Sequence, residues 1–382
     1  ADFVSHSIDV TNVSPSSVSH NLPTQVDEGQ SFTLDVSGTD PGVDRVRMQI
    51  NWGDGTAVQE TSFSADVAGQ RTLSASKTYS DGAASWTVQI QLIDEDGGSS
   101  GWQSLGTVNV RNVAPTATID SIGAQRKEGL LVSVTGSATD PGGGSDPLNF
   151  AWKAFRGTDT TPVASRSGVN EGSFSFTPAD DGEYLIELTV TDGDGGSHTV
   201  SQTVQIANQA PVSSISSVST PRERGRELIV VGTATDAGGS NDPLSYSWSA
   251  FVDGVTDPVA SGTGIDLTSF SFTPRTNGQF QVKLTVTDGD GGSHTSEQSF
   301  AVATKLPVPS ITSVSETREE GREIVVQGTA TDVIYPSDEL NYQWKVFRSG
   351  ESTALTTGGG VNVREFRFTP PNDGSYRIDA SL

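Results

Sequence analysis

Apolar positions fall along the chain in short alternating or β-branched runs, as at 130–134, 186–190, 228–231 and 324–326. Gly, Pro, Asp and Ser break these runs about every eight to twelve residues, the spacing of strands in sandwiches and barrels. No stretch holds a 3.6-residue apolar stripe for three turns. The pattern predicts an all-β chain folded as two-sheet sandwiches of about seven strands each.

The pattern also repeats. Asp140, Asp236 and Asp332 stand 96 residues apart, as do Trp152, Trp248 and Trp344, and Pro178, Pro274 and Pro370. A period near one hundred is too long for a solenoid and fits a string of small domains, which argues against a one-site enzyme. The expected division is a tandem array of four immunoglobulin-like sandwiches at 14–113, 114–209, 210–305 and 306–382. Aligned on the repeat, 306–382 ends within its sixth strand and lacks its final strand. Residues 1–13 read as the final strand of a preceding repeat or as a donor strand. Two explanations stay open: an arbitrary window of a longer repetitive protein, or a subunit whose residues 1–12 complete the last repeat of a neighbour.

Within 114–209 the expected strands begin after Pro115 and run through 130–138, 148–155, 173–177, 184–190 and about 198–206. Trp52, Trp152, Trp248 and Trp344 are expected in the core on the third strand. The pairs Phe174/Phe176, Phe270/Phe272 and Phe366/Phe368 sit at i, i+2, so both members face one side of a strand, inward. The linkers Asn112-Val113-Ala114-Pro115, Asn208-Gln209-Ala210-Pro211 and Lys305-Leu306-Pro307-Val308-Pro309 are short and proline-bearing. Pro fixes φ and restricts the residue before it, so these joints are expected to be stiff and the array a rod.

Composition narrows the class. The chain has 23 Lys plus Arg against 47 Asp plus Glu, a formal charge of -24, which repels nucleic acid and anionic membrane and favours calcium as a partner. There is no cysteine and one methionine, so no disulfide framework exists; an exported chain stabilised by ions fits. No apolar run is long enough to cross a membrane, and the first residues show no signal peptide. The sequence contains no nucleophile elbow, and four histidines, of which His198 and His294 repeat on a strand face, make no metal set.

Residues 51–56 read Asn-Trp-Gly-Asp-Gly-Thr, 77–82 Lys-Thr-Tyr-Ser-Asp-Gly, and 91–98 Gln-Leu-Ile-Asp-Glu-Asp-Gly-Gly. This succession resembles the polycystic-kidney-disease (PKD) type of immunoglobulin-like domain. The later repeats keep the tryptophan and the Asp-Gly turn but not the Trp-Gly-Asp-Gly signature, and resemble divergent PKD or bacterial Ig-like and cadherin-like repeats. The resemblance implies an adhesive, spacer or matrix role and brings no catalytic residues.

Carboxylates cluster at one end of each repeat. The loop after the second strand carries Asp40, Asp140, Asp236 or Asp332. The turn before the last strand carries Asp94 and Asp96, Asp192 and Asp194, or Asp288 and Asp290. Converging carboxylates repel unless a cation neutralises them, and hard oxygen ligands suit Ca²⁺. The linker residues Asn112 and Asn208, with Asn12, enter at the same end with an amide oxygen. Against this stands ordinary turn chemistry, in which Asp bonds its own backbone and Gly takes positive φ. Ligands at domain junctions would add Glu28, Glu128 and Glu320 from the opposite end, with Arg224 the exception in the third repeat.

The expected function is a non-enzymatic stalk in a secreted or cell-surface bacterial protein, an adhesin or matrix protein stiffened by Ca²⁺. The alternatives are a subunit of an extracellular filament built by strand complementation, and a substrate-binding region of a secreted hydrolase. The expected partners are adjacent repeats or other copies of the protein and a cell-surface glycan or protein. Neither nucleic acid nor membrane insertion is expected.

Overall fold

The computed structural model describes residues 3–66, 69–331 and 339–382, and Asp332 lies outside them. The chain divides into two compact units, Ala1–Asn208 and Gln209–Leu382.

Residues 114–207 in the first unit form a sandwich of seven strands. Ser173–Phe176, Val132–Thr139 and Thr116–Ile122 make one antiparallel sheet; Ala164–Val169, Asn149–Arg156, Gly182–Thr191 and Ser197–Ile206 make the other. The second unit repeats this arrangement in 212–302, with the same three-plus-four division. The sixth strand of each, Gly182–Thr191 and Gly278–Thr287, alternates buried and half-buried residues as a central strand of a packed sheet should.

Two sandwiches depart from seven strands. In the first repeat the leading strand splits: Ser16–His20 pairs with Ser31–Asp40, whereas Gln25–Asp27 crosses to the other sheet and lies parallel to Gln103–Arg111. Pro23, which has no amide hydrogen to give to a ladder, sits where the chain changes sheets. A short strand, Gln59–Glu60, makes the count eight. The later repeats keep the same crossing as single parallel bridges, Lys127 to Ala207 and Glu223 to Ala303. In 308–381 each sheet has three described strands, and Tyr376–Ser381 forms an edge. Residues 3–13 form no ladder within the chain, and Phe3, Val4, Ile8 and Val10 are exposed.

Each core is assembled around one indole. Trp52, Trp152, Trp248 and Trp344 are 2, 1, 0 and 0% exposed. From Trp152 a ladder of rings runs through Phe174, Phe176 and Tyr184 with centroids 5.9, 5.9 and 5.7 Å apart. Trp248, Phe270, Phe272 and Phe280 repeat it, as do Trp344, Phe366, Phe368 and Tyr376. The inward phenylalanine pairs are therefore as the i, i+2 spacing predicts. The buried indole nitrogens all donate: Trp152 to the Glu171 carbonyl at 2.9 Å, Trp248 to Leu267 at 2.9 Å, Trp344 to Val363 at 3.1 Å, and Trp52 to Gln59 Oε1 at 2.8 Å. A buried donor left unpaired would cost about 1–3 kcal/mol, so these bonds fix the ring's tilt as well as its depth.

The second strand makes room for the ring. A Cβ on Gly136 would stand 2.7 Å from the Trp152 ring, on Gly232 2.7 Å from Trp248, and on Gly328 2.6 Å from Trp344. These glycines also recur 96 residues apart. A tyrosine hydroxyl closes the corner before the sixth strand in two repeats, Tyr184 donating to the Asp180 carbonyl at 2.9 Å and Tyr376 to Asn372 at 2.8 Å, whereas Tyr79 of the first repeat reaches back to the Trp52 carbonyl at 3.1 Å. His198 and His294 join the two sheets, their Nδ1 accepting the amides of Ala117 at 2.9 Å and Ser213 at 3.0 Å. The Trp-Gly-Asp-Gly signature is turn chemistry: Asn51 accepts the Gly53 amide, while Asp54 accepts from Thr56 and pairs with Lys77 at 2.5 Å.

Two outcomes are expected. Gly136→Ala should destabilise the 114–207 sandwich by about 1–3 kcal/mol through overpacking, and Trp152→Ala by about 3–5 kcal/mol. In calorimetry of the whole chain either should move one transition and leave the others in place. Tyr184→Phe should cost about 1 kcal/mol for its lost hydrogen bond, read in the same transition.

Candidate functional site: a carboxylate junction between sandwiches

The loop after Val132–Thr139 and the turn before Ser197–Ile206 meet at one end of the second sandwich. Gly193 donates its amide to Asp146 Oδ1 and ties the two together. Asp140 Oδ1 accepts the Gly142 amide at 2.7 Å, and Asp192 Oδ1 accepts those of Gly196 at 2.7 Å and Asp194 at 3.1 Å. Turn chemistry therefore occupies one oxygen of each carboxylate. The other oxygens of Asp140 and Asp146 are buried without a hydrogen-bond partner.

The first sandwich brings Glu28 to the same place. Glu28 follows the parallel strand Gln25–Asp27, and its amide donates to the Arg111 carbonyl at 3.0 Å. Its Oε1 accepts the Val113 amide of the linker at 2.7 Å, whereas Oε2 is buried with no partner. Glu28 is 2% exposed and Asp146 1%. Gly29 permits the approach: at φ +71° it lies so close to Pro141 of the next sandwich that a Cβ would stand 2.6 Å from the proline Cβ.

Two acidic triads result. Glu28, Asp140 and Asp146 offer ligand oxygens within 4.8 Å of one another, and so do Glu28, Asp81 and Asp194. Asn112 braces the pair of sandwiches by donating its amide nitrogen to Asp192 Oδ2 at 3.0 Å, which leaves its Oδ1 buried and unpartnered. Of the residues expected from the sequence, Glu28, Asp140, Asp194, Asn112 and Asp192 thus meet here. Asp192 acts as the organiser, since both its oxygens hold hydrogen bonds.

The carboxyls resist ionising together. Burial pushes the Glu28 carboxyl above its ordinary value; the Val113 amide and, more weakly, the Gly82 amide oppose this, and the charges of Asp140 and Asp146 add to it. Asp140 is raised first by burial and then by Asp146 and Asp192, with the Gly142 amide opposing; Asp194 is raised by burial and by Asp81, Asp146 and Asp192. Every charge acting on these three groups is another carboxylate. Divalent hard cations are what such an oxygen set suits, through Glu28, Asp140, Asp146, Asp81 and Asp194, with the Asn112 amide oxygen beside them.

The other expected residues fall on equivalent loops. In the first sandwich Asp40 Oδ1 accepts the Gly42 amide at 2.8 Å and Oδ2 is buried without a partner. Asp94 accepts from Gly98 at 2.7 Å and from Asn12 at 3.0 Å. Asp96 acts through its charge on Asp44, which burial and then Asp40, Asp96, Asp94 and Glu95 push upward. In the second unit Asp236 accepts the Gly238 amide at 2.8 Å, and Asp288 accepts those of Gly292 at 2.7 Å and Asp290 at 3.1 Å. Asn208 ends the first unit. Glu320, in the fourth repeat, accepts the Asp373 amide at 2.9 Å.

Asp146, Asp81 and Asp44 escape a reading of the sequence that stops at the first acid of each loop. Asp146 and Asp242 carry a signal: each precedes a proline, and they recur 96 residues apart. Asp81 has none beyond its Asp-Gly turn, because its role arises from the neighbouring sandwich.

The chain is similar to a tetra-tandem repeat from the extending region of a large adhesion protein, at 16% identity over 93% of this chain and 94% of that one, with a TM-score of 0.33. It is similar to the PKD domain of a peptidase from a Thermoplasmatales archaeon, at 24% identity over 26% of this chain and 99% of that one, with a TM-score of 0.23. It is also similar to fibronectin(III)-like modules of Clostridium thermocellum, at 14% identity over 50% and 93% of the two chains, with a TM-score of 0.22. Comparison with curated proteins gave no match. Among sequence families, that of the bacterial Ig domain matches residues 112–206 and again 208–300. The chain therefore carries bacterial Ig domains in two tandem copies.

Proposed function

We infer that this chain is a non-enzymatic spacer segment of an extracellular bacterial surface protein of the adhesin or matrix kind, and that calcium stiffens the joint between its first two sandwiches. The observation that carries the reading is the triad Glu28, Asp140 and Asp146. It draws on two sandwiches and turns buried, unpartnered oxygens from both toward one point. Calcium–oxygen distances are about 2.3–2.6 Å, so oxygens sharing one ion lie up to about 5 Å apart, the scale of the triad. An ion held there ties Glu28 of one sandwich to the loop of the next and replaces repulsion with attraction.

Tandem Ig domains and a charge of -24 support a spacer that recruits cations. The two-sheet cores are filled by rings and aliphatic side chains, which leaves the junction rather than a cleft as the chemically distinctive place.

Calcium at about one hundred times its dissociation constant should stabilise the joined sandwiches by about 2.7 kcal/mol. Calorimetry with calcium and with chelator tests this, and identical melts in the two would sink the reading. The same measurement on Glu28→Gln should show a smaller calcium-dependent gain, by about 4–8 °C per kcal/mol lost.

The pH dependence has a definite sign. A carboxyl with a raised folded-state pKa stabilises the fold below its unfolded pKa, and that contribution is lost as pH rises through the raised value. Glu28 starts from an ordinary value of 4.5. In chelator, wild type and Glu28→Gln should therefore melt alike below about pH 4. The variant should become the more stable of the two near neutrality, and calcium should reverse that order. Thermal melts of the pair across pH, with and without calcium, check both signs.

A further inference from the structure

The two triads at the junction share one residue and nothing else. Glu28, Asp140 and Asp146 form the inner one; Glu28, Asp81 and Asp194 form the outer one, in which Asp81 and Asp194 are exposed. No group of four among the described residues brings Asp81 or Asp194 within 4.8 Å of the whole inner set. A single ion at ordinary calcium–oxygen distances therefore does not gather all five carboxylates.

Glu28 is built to face both ways. Its Oε1 is committed to the Val113 amide, so Oε2 is the free oxygen, buried and unpartnered. A Cβ on Gly82, the neighbour of Asp81, would stand 2.8 Å from that oxygen, and one on Gly142, in the loop between Asp140 and Asp146, would stand 3.2 Å from it. Oε2 is thus flanked by the first sandwich's own turn on one side and the second sandwich's loop on the other, with side chains missing from both flanks. Charge leads to the same conclusion. Five carboxylates face one another, and one divalent ion would leave three negative charges uncompensated, where two leave one.

We propose that the junction holds two divalent cations bridged by Glu28: an inner one with Asp140 and Asp146, and an outer one with Asp81 and Asp194. This rests on the calcium reading above and extends it from one ion to two, assigning Asp81 as a ligand. The sites differ in kind. The inner ligands include two almost fully buried carboxylates and grip the ion in a preformed pocket. The outer ion sits at the rim, keeps several waters and exchanges first. Each sandwich contributes to both ions, so the outer ion adds a second point of attachment and resists rotation about the first.

The test is calcium stoichiometry of the whole chain, by native mass spectrometry and calorimetric titration after chelation, for wild type, Asp81→Asn, Asp146→Asn and Glu28→Gln. Asn keeps the acceptor for Gly193 at 146, and Asp81 is exposed, so both substitutions are conservative for the fold. Differences from wild type cancel ions bound elsewhere in the chain. Asp81→Asn and Asp146→Asn should each bind one ion fewer, and Glu28→Gln two fewer. In titrations the binding step lost in Asp81→Asn should be the weaker of the two. If Asp81→Asn binds as wild type while Asp146→Asn loses an ion, the second site is overturned and the single-ion joint stands. If none of the three changes the count, both readings fall.

Discussion

Each sandwich depends on one contact, the indole of the third strand lying against a glycine of the second. The ring would collide with any Cβ at Gly136, Gly232 or Gly328, and it reaches across to donate to a carbonyl nineteen residues further along, at Glu171, Leu267 or Val363. A single side chain therefore sets the spacing of the sheets, the position of the fifth strand and the depth at which the phenylalanine ladder stacks. Interiors packed at crystal-like density tolerate little adjustment of such a piece. The first sandwich varies the theme: Gly38 faces Leu92 rather than Trp52, and Phe32 and Tyr79 flank the indole in place of the paired phenylalanines.

That rigidity is what makes the loops at the sandwich end usable. The second and sixth strands are held by the core, so the residues that leave them, Asp140 to Asp146 and Asp192 to Asp194, have little freedom to move apart. Gly29 and Pro141 then press the next sandwich against them. The carboxylates converge because backbone packing brings them together, and the raised pKa values of Glu28, Asp140 and Asp194 record that the packing prevails over their repulsion. Turn chemistry and ion chemistry share the same side chains. One oxygen caps an amide while the other remains available, so an Asp-Gly turn is compatible with both readings at once.

The parts of this arrangement that follow a short-range rule are legible in the sequence. Period-two alternation, the i, i+2 phenylalanines, the recurring tryptophans and the Asp-Gly turns all report local geometry, and the strands they predict appear within a residue or two. The strand Ala164–Val169 escapes because it is an exposed, serine- and glycine-bearing edge whose partner, not its own pattern, makes it a strand. Its counterparts Ala260–Ile265 and Thr356–Val361 are alike in this. The expectation of seven strands fails in the first repeat because the leading strand changes sheets at a proline, a tertiary event with only a faint local trace. The junction was legible in part: the acids of the second sandwich repeat along the chain and Glu28 stands at the end expected to meet them, but Asp81 gains its meaning only from the face it meets.

The separation of core from junction has a mechanical consequence. The hydrophobic cores contain no member of either triad, and the indole and the rings packed with it do not depend on the charge at the sandwich end. Removing a cation would therefore act first on the relation between neighbouring sandwiches, where the linker has only Val113 to Pro115 beyond its bracing Asn112, and leave their interiors intact. On the proposed reading, such a joint would be slack while calcium is scarce and firm once calcium is plentiful, without unfolding of the sandwiches in between. Disulfides across the same joint would give stiffness but not reversibility. The absence of cysteine and the surplus of carboxylates belong together on the proposed calcium reading, since ions rather than covalent bonds would then join neighbouring folded pieces.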